Sequence, residues 1–117
     1  MIYLYGYKKC STCQKAIRML NQLELEYSFH DFIETNLDIS TIERIHKKSK
    51  TGLDKLFNTR GKKFQELKLK ERLLEMSDSN KIELLSGDGY LIKRPILESE
   101  DIVIIGYDEE LYKQLGE

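Results

Sequence analysis

The chain has no tryptophan, a single proline and two cysteines among its 117 residues, and 19 basic against 20 acidic side chains leave a net charge of -1. Each scarcity excludes something. One proline leaves no proline-rich spacer, and with no internal repeat or low-complexity stretch the chain reads as one domain over residues 1–117. Balanced charge removes bulk attraction to nucleic acid or anionic lipid, so direct nucleic-acid binding is not expected and any anion site must be local. No apolar window approaches the roughly 20 residues that cross a bilayer, and the opening Met-Ile-Tyr-Leu-Tyr lacks the basic start of a secretory signal. The expectation is a cytoplasmic protein without a membrane partner. In that reducing compartment two cysteines stay as thiols that cycle, which suits a catalytic or sensing pair better than a permanent cross-link.

What is present starts with Cys10-Ser11-Thr12-Cys13, directly after the apolar run Ile2-Tyr3-Leu4-Tyr5 and directly before a helical pattern from Gln14. The first turn of a helix offers unpaired N–H donors and the positive end of the macrodipole, which favour a thiolate. A lowered thiol pKa makes a better attacking and leaving group near neutral pH. Other readings of the pair compete. Structural zinc wants four ligands, and His30 and His46 stand after gaps of 16 and 15 residues, which do not form a compact finger. No metal or other cofactor is expected, and both histidines read as structural or solvated. A structural disulfide closing so short a loop would constrain the unfolded chain little. Two inert thiols remain the plain alternative, and the strand-before, helix-after context favours redox chemistry over it.

The hydrophobic pattern predicts a strand over residues 2–5, a helix over 11–24 with Ala16, Ile17, Leu20 and Leu23 inward, and a strand from Tyr27 to Phe32. Two strands separated by a helix should lie parallel through a right-handed crossover, with the functional loop at the carboxyl end of the first. Ser40-Thr41-Ile42-Glu43 matches a capping box and predicts a helix over Thr41 to Ser49, buried through Ile42 and Ile45 and stopped by Gly52. Leu53 to Phe57 reads as a helical turn, residues 58–63 as a polar loop, and Leu69 to Met76 and Asn80 to Leu85 as two more helices. Tyr90-Leu91-Ile92-Lys93 and Ile102 to Ile105 read as a terminal hairpin, ended by Gly106 and followed by a short helix that Asp108 caps. The fold class is therefore α/β: a thioredoxin-like layer with a helical insertion at about residues 38–88.

Arg60 and Arg94 are the candidate anion ligands, because a planar guanidinium binds oxyanions and carboxylates in bidentate fashion. Spacing alone favours reading each as a solvated surface arginine. Pro95 has no N–H for a ladder and belongs at a strand edge or kink. In thioredoxin-like layers a cis proline often stands beside the thiol pair, which would bring Arg94 next to Cys10. Tyr5 and Tyr7 flank the loop to Cys10, where packing is the ordinary role of a tyrosine, and Lys8 and Lys9 are candidates to add positive potential.

Together, Cys10-Ser11-Thr12-Cys13, Asn58-Thr59-Arg60-Gly61, Lys93-Arg94-Pro95-Ile96 and Gly106-Tyr107 resemble the arsenate reductase (ArsC) and Spx family over essentially the whole chain. Small bacterial Spx/ArsC-like proteins with a Cys-x-x-Cys pair are most similar. The resemblance implies a thioredoxin-like fold with a helical insertion, Cys10 as nucleophile with Cys13 resolving, and Arg60 and Arg94 facing Cys10 as anion ligands. Ser11, Thr12, Asn58 and Pro95 would shape the site. It further implies thioredoxin, glutaredoxin or glutathione as reductant, with arsenate or another oxidised compound as substrate. The glutaredoxin-coupled arsenate reductases carry a Gly-Thr-Ser-Arg stretch after the cysteine and a third anion-binding arginine. Here Cys13 replaces the serine, Gln14 the arginine, and Gly106-Tyr107-Asp108 holds no third one. Spx regulators share the Cys-x-x-Cys, a glycine at Gly52 and a Thr-Arg like Thr59-Arg60, which implies the RNA polymerase α subunit as an alternative partner. They continue with a basic C-terminal extension that has no counterpart after Leu115-Gly116-Glu117, so polymerase binding ranks second.

Overall fold

Residues 2–6 form strand β1 (Ile2–Gly6), and the period of two along it sends Leu4 to one face of the sheet and Tyr5 to the other. The computed structural model describes all of Met1–Glu117. Helix α1 (Ser11–Gln22) follows, then strand β2 (Tyr27–Asp31), which pairs with β1 in parallel, Ile2 opposite Tyr27 and Gly6 opposite Asp31. Strands β3 (Ile96–Glu98) and β4 (Val103–Ile105) complete a sheet of order β2-β1-β3-β4, with β3 antiparallel to both neighbours. The βαβ unit at the start is parallel, as expected, and the hairpin at the end joins it along β1.

The two faces bury different helices. On the Leu4 face, Ala16, Met19 and Leu20 of α1 pack with Leu97, Ile104 and Tyr112 of α6 (Glu109–Leu115), whose N-terminus Asp108 caps by accepting from the Leu111 N–H. On the Tyr5 face lie α2 (Ile39–Ser49), α3 (Lys62–Glu66), α4 (Leu69–Arg72) and α5 (Asp78–Gly87), around Phe32, Ile42, Ile45, Phe57, Phe64 and Leu69. None of these helices is long and apolar enough to cross a membrane.

Several boundaries depart from the sequence reading. Asp38, not Ser40, caps α2: its Oδ1 accepts from the Thr41 N–H at 2.8 Å, so the helix starts at Ile39. Lys50, at φ 58°, ends that helix in the left-handed region, and Gly52 instead opens the 3-10 turn Leu53–Leu56. The polar stretch at 62–63 belongs to α3, because Phe64 provides an apolar anchor, its ring 6.2 Å from Phe57. The helix expected from Leu69 to Met76 is divided into α4 and a 3-10 turn, Leu73–Glu75.

The largest correction is at Tyr90 to Lys93, which is not a strand of the hairpin. Gly89–Leu91 is a 3-10 turn, and Ile92 bridges to Phe57, with the Asn58 N–H on Leu91 O at 2.8 Å and the Lys93 N–H on Leu56 O at 2.7 Å. Asp88 accepts from the Tyr90 N–H, and Gly89 lies so close to β2's exit that a Cβ there would stand 2.1 Å from Phe32 O. The segment is thereby tied to the helical layer, and the strand of the hairpin starts only after Pro95.

Glu98 is a buried carboxylate, 2% exposed, and sequence reading passed over it. It accepts from Arg44 Nε at 2.7 Å, Arg44 Nη2 at 2.9 Å, Lys48 Nζ at 2.8 Å and the Tyr5 hydroxyl at 2.8 Å. Burial opposes its charge, but Arg44, Lys48 and Tyr5 outweigh that and hold the carboxyl down at about 2. The network fastens α2 to β3.

Candidate redox site

The site is built where β1 ends. Gly6 closes the strand, the chain turns through Tyr7 to Lys9, and Cys10 takes the N-cap of α1, its N–H on Tyr7 O at 3.0 Å and its own carbonyl accepting from the Gln14 N–H at 3.0 Å. Both cysteines are free thiols. One turn of helix separates them and gives them different surroundings, Cys10 half-buried and Cys13 0% exposed. The Cys13 sulfur accepts from the Tyr7 N–H at 3.5 Å and lies against Gly6, where a Cβ would stand 2.7 Å away. Glycine at position 6 is therefore what lets Cys13 sit inside.

The two thiols are driven in opposite directions. Burial works against ionisation of Cys10, but the Cys13 backbone N–H, the Arg94 side chain, the Cys13 thiol and the Thr12 N–H favour its thiolate, and its pKa falls below the ordinary thiol value. Burial pushes the Cys13 thiol up to about 12, and the neighbouring Cys10 adds to the rise while the Tyr7 N–H opposes it. The surroundings thus favour the thiolate at Cys10 and the thiol at Cys13.

Arg94 arrives from the other end of the chain, across the cis Arg94–Pro95 bond with Pro95 buried. Its guanidinium carbon lies 5.5 Å from the centre of the Tyr7 ring, and Tyr7 meets Tyr90 edge-on at 5.9 Å. Arg94 Nη1 is buried with no hydrogen-bond partner, a donor left unused. The same side chain lines a cleft of about 370 Å³ with Asn58, Lys62, Lys63, Asp88 and Tyr90. Asn58 is half-buried there, its side chain folded against Gly61, while Ser11 is exposed and Thr12 half-buried on the first turn of α1.

Arg60 is the sequence candidate that the structure does not bring in. It is exposed on the turn before α3, is not among the groups acting most strongly on Cys10, and does not line the cleft. Tyr5 belongs to the Glu98 network on the opposite face, Lys8 pairs with Glu34, and His30 Nε2 lies 2.8 Å from the Thr35 carbonyl oxygen. Residues missed by sequence reasoning are Gly6, Tyr90, Lys62 and Lys63. Gly6 carried a signal, a glycine closing a strand just before the thiols. The others line the cleft beside Arg94 only through long-range packing and carried none.

The model described as ArsC family matches residues 5–115. Over 110 residues the chain is 37% identical to the uncharacterized protein YusI of Bacillus subtilis, covering 94% of this chain and 93% of that one. The global transcriptional regulator Spx of Lactiplantibacillus plantarum is 27% identical over 94% of this chain and 82% of its own. The crystal structure of a possible arsenate reductase from Streptococcus mutans superposes with a TM-score of 0.86 at 37% identity, over 95% of this chain and 97% of that one. The fold is thioredoxin-like, and a glutaredoxin from Archaeoglobus fulgidus shares it at a TM-score of 0.51 and 16% identity, over 97% of this chain and 83% of that one.

Proposed function

The chain belongs to the ArsC family, and from that premise we propose that it is a cytoplasmic thiol–disulfide oxidoreductase in which Cys10 attacks and Cys13 resolves. The observation that carries the reading is the asymmetry of the pair, a half-buried thiol with a lowered pKa one turn from a buried thiol held at about 12. The Cys10 thiolate attacks one sulfur of an oxidised substrate. A Cys10–substrate bond forms, the substrate's own S–S bond breaks, and the leaving thiolate takes up a proton. Cys13 then gives up its proton and attacks the Cys10 sulfur, releasing the second substrate thiolate and leaving a Cys10–Cys13 disulfide. Two electrons have passed to the substrate. Thioredoxin, glutaredoxin or glutathione returns them to the pair.

Arg94 has two roles in this reading. It favours the Cys10 thiolate, and its guanidinium, which lines the cleft, meets an anionic portion of the substrate. Arg60, exposed on the neighbouring turn, joins it when substrate is bound; Ser11, Thr12, Asn58 and Pro95 shape the opening. Arsenate is one oxidised substrate of this charge. The test is substitution of each thiol: Cys10→Ser abolishes disulfide reduction, and Cys13→Ser accumulates a mixed disulfide visible by mass spectrometry. Full turnover by Cys10→Ser would sink the mechanism.

The Spx relatives favour a second reading, a redox-switched regulator whose Cys10–Cys13 state sets affinity for the RNA polymerase α subunit. Pull-down of that subunit by the oxidised and reduced chain separates the two. Retention in one state only supports the regulator, and none in either state leaves the oxidoreductase.

A further inference from the structure

Arg94 is half-buried, and no carboxylate holds it. It enters none of the chain's ion pairs, and its Nη1 is buried with no hydrogen-bond partner. The two carboxylates of the cleft are turned elsewhere, Glu66 to Lys62 at 4.0 Å and Asp88 to Lys63 at 3.8 Å. Ordering a long side chain in one place costs entropy that some contact must offset. The contact present is aromatic. The guanidinium carbon stands over the Tyr7 ring, 5.5 Å from its centre, and Tyr90 meets that ring edge-on, at 78° to its plane.

Tyr7 is itself fixed to the thiol pair through its backbone. Its carbonyl accepts from the Cys10 N–H at 3.0 Å, and its N–H donates to the Cys13 sulfur at 3.5 Å. Its ring therefore belongs to the loop that carries Cys10, and a group held by the ring is held beside that loop. A ring also does what a carboxylate could not. A carboxylate would fix Arg94 and cancel its charge at the same time, leaving little for a thiolate or an anionic substrate. The face of a tyrosine ring attracts a cation through its quadrupole and carries no net charge, so Arg94 is held and stays positive.

We infer that Tyr7 is a positioning residue, its ring holding the Arg94 guanidinium beside the Cys10 loop without neutralising it. This rests on the reading of Cys10 as the attacking thiol assisted by Arg94. Tyr7 exchanges no proton and makes no bond in the reaction; it acts through Arg94.

The experiment follows alkylation of Cys10 by iodoacetamide against pH in the full, reduced chain, with the modified residue located by mass spectrometry. Tyr7→Phe keeps the ring face, and its apparent pKa and rate at pH 7 should match the parental chain. Tyr7→Leu removes the face, and its rate at pH 7 should fall about two- to fivefold, the size of a cation–π contact at a partly exposed site. The rate of the fully ionised thiol at high pH should not change. Placed on Arg94→Ala, Tyr7→Leu should have no further effect. A parental profile in Tyr7→Leu overturns the inference alone, as does an equal loss in Tyr7→Phe or a further loss on top of Arg94→Ala. If Cys10 of the parental chain titrates as an ordinary thiol, or Arg94→Ala leaves its profile unchanged, the assistance of Cys10 by Arg94 fails and the inference with it. Should Tyr7→Leu not fold, 3,4,5-trifluorophenylalanine at position 7 takes its place. It keeps the shape of the ring and drains the negative charge from its face, and the same outcomes decide.

Discussion

One turn of helix carries Cys10 and Cys13 into opposite environments, and the difference comes from what touches each sulfur. Cys10 faces groups that favour its thiolate: the first-turn N–H groups of Cys13 and Thr12 and the guanidinium of Arg94. Cys13 meets Gly6 and the core. Replacing Arg94 with alanine should therefore raise the apparent pKa of Cys10 and slow its alkylation at pH 7 by up to about tenfold, one pKa unit being one decade of thiolate. Stopped-flow or mass-resolved alkylation reads this directly, and an unchanged Cys10 profile would show that the helix N-terminus acts alone. At this scale the thiol pair was legible, because the strand, the turn and the helix start are local features. Arg94 was legible only through Pro95 in a thioredoxin-like layer and the family resemblance, since nothing else in its own neighbourhood on the chain says that it will meet a sulfur more than 80 residues away.

Among the elements, β1, α1 and β2 were readable from periodicity, since each has a buried face written in its own sequence. Tyr90 to Lys93 was not, because a four-residue apolar run looks the same whether it pairs in a sheet or bridges to a loop. The contact of Gly89 with Phe32 O decides it, and that contact is a tertiary fact. The cap of α2 was ambiguous for another reason: Asp38 and Ser40 are both good N-caps, and the carboxylate won. The Glu98 network joins α2 to β3 across 54 and 50 residues of chain, beyond any local pattern. Because the folded Glu98 carboxyl sits at about 2 against about 4.3 unfolded, its contribution is complete above pH 4.3 and is lost as pH falls through about 2. Glu98→Gln should lower stability at pH 7 by about 1.5–3 kcal/mol, the cost of losing charged hydrogen bonds, and flatten the acid limb of the stability profile. Urea denaturation at a series of pH values checks both. The thiol chemistry should be unchanged, since the network lies on the face away from Cys13.

The whole molecule brings two distant pieces to one place: the turn from the end of β1 into α1, and the segment at Arg94–Pro95 that opens the final hairpin. The four-stranded order β2-β1-β3-β4 makes this unavoidable, since β3 pairs directly with β1 and so delivers its leading residues next to the exit of β1. The architecture was foreseeable from element order, and the site's sulfur half with it. The cleft wall at Asn58, Lys62 and Lys63 was not, nor was the exposed position of Arg60, because both depend on how the helical layer seats against the sheet. This assembly gives two identical side chains opposite surroundings, one half-buried and one buried. The most direct measurement is the pH dependence of iodoacetamide alkylation of the reduced chain, with each modified cysteine located by mass spectrometry. Cys10 should react with an apparent pKa well below the free-thiol value of about 8.5, while Cys13 stays unmodified through the same range. Equal reactivity of the two cysteines at an ordinary thiol pKa would contradict the account.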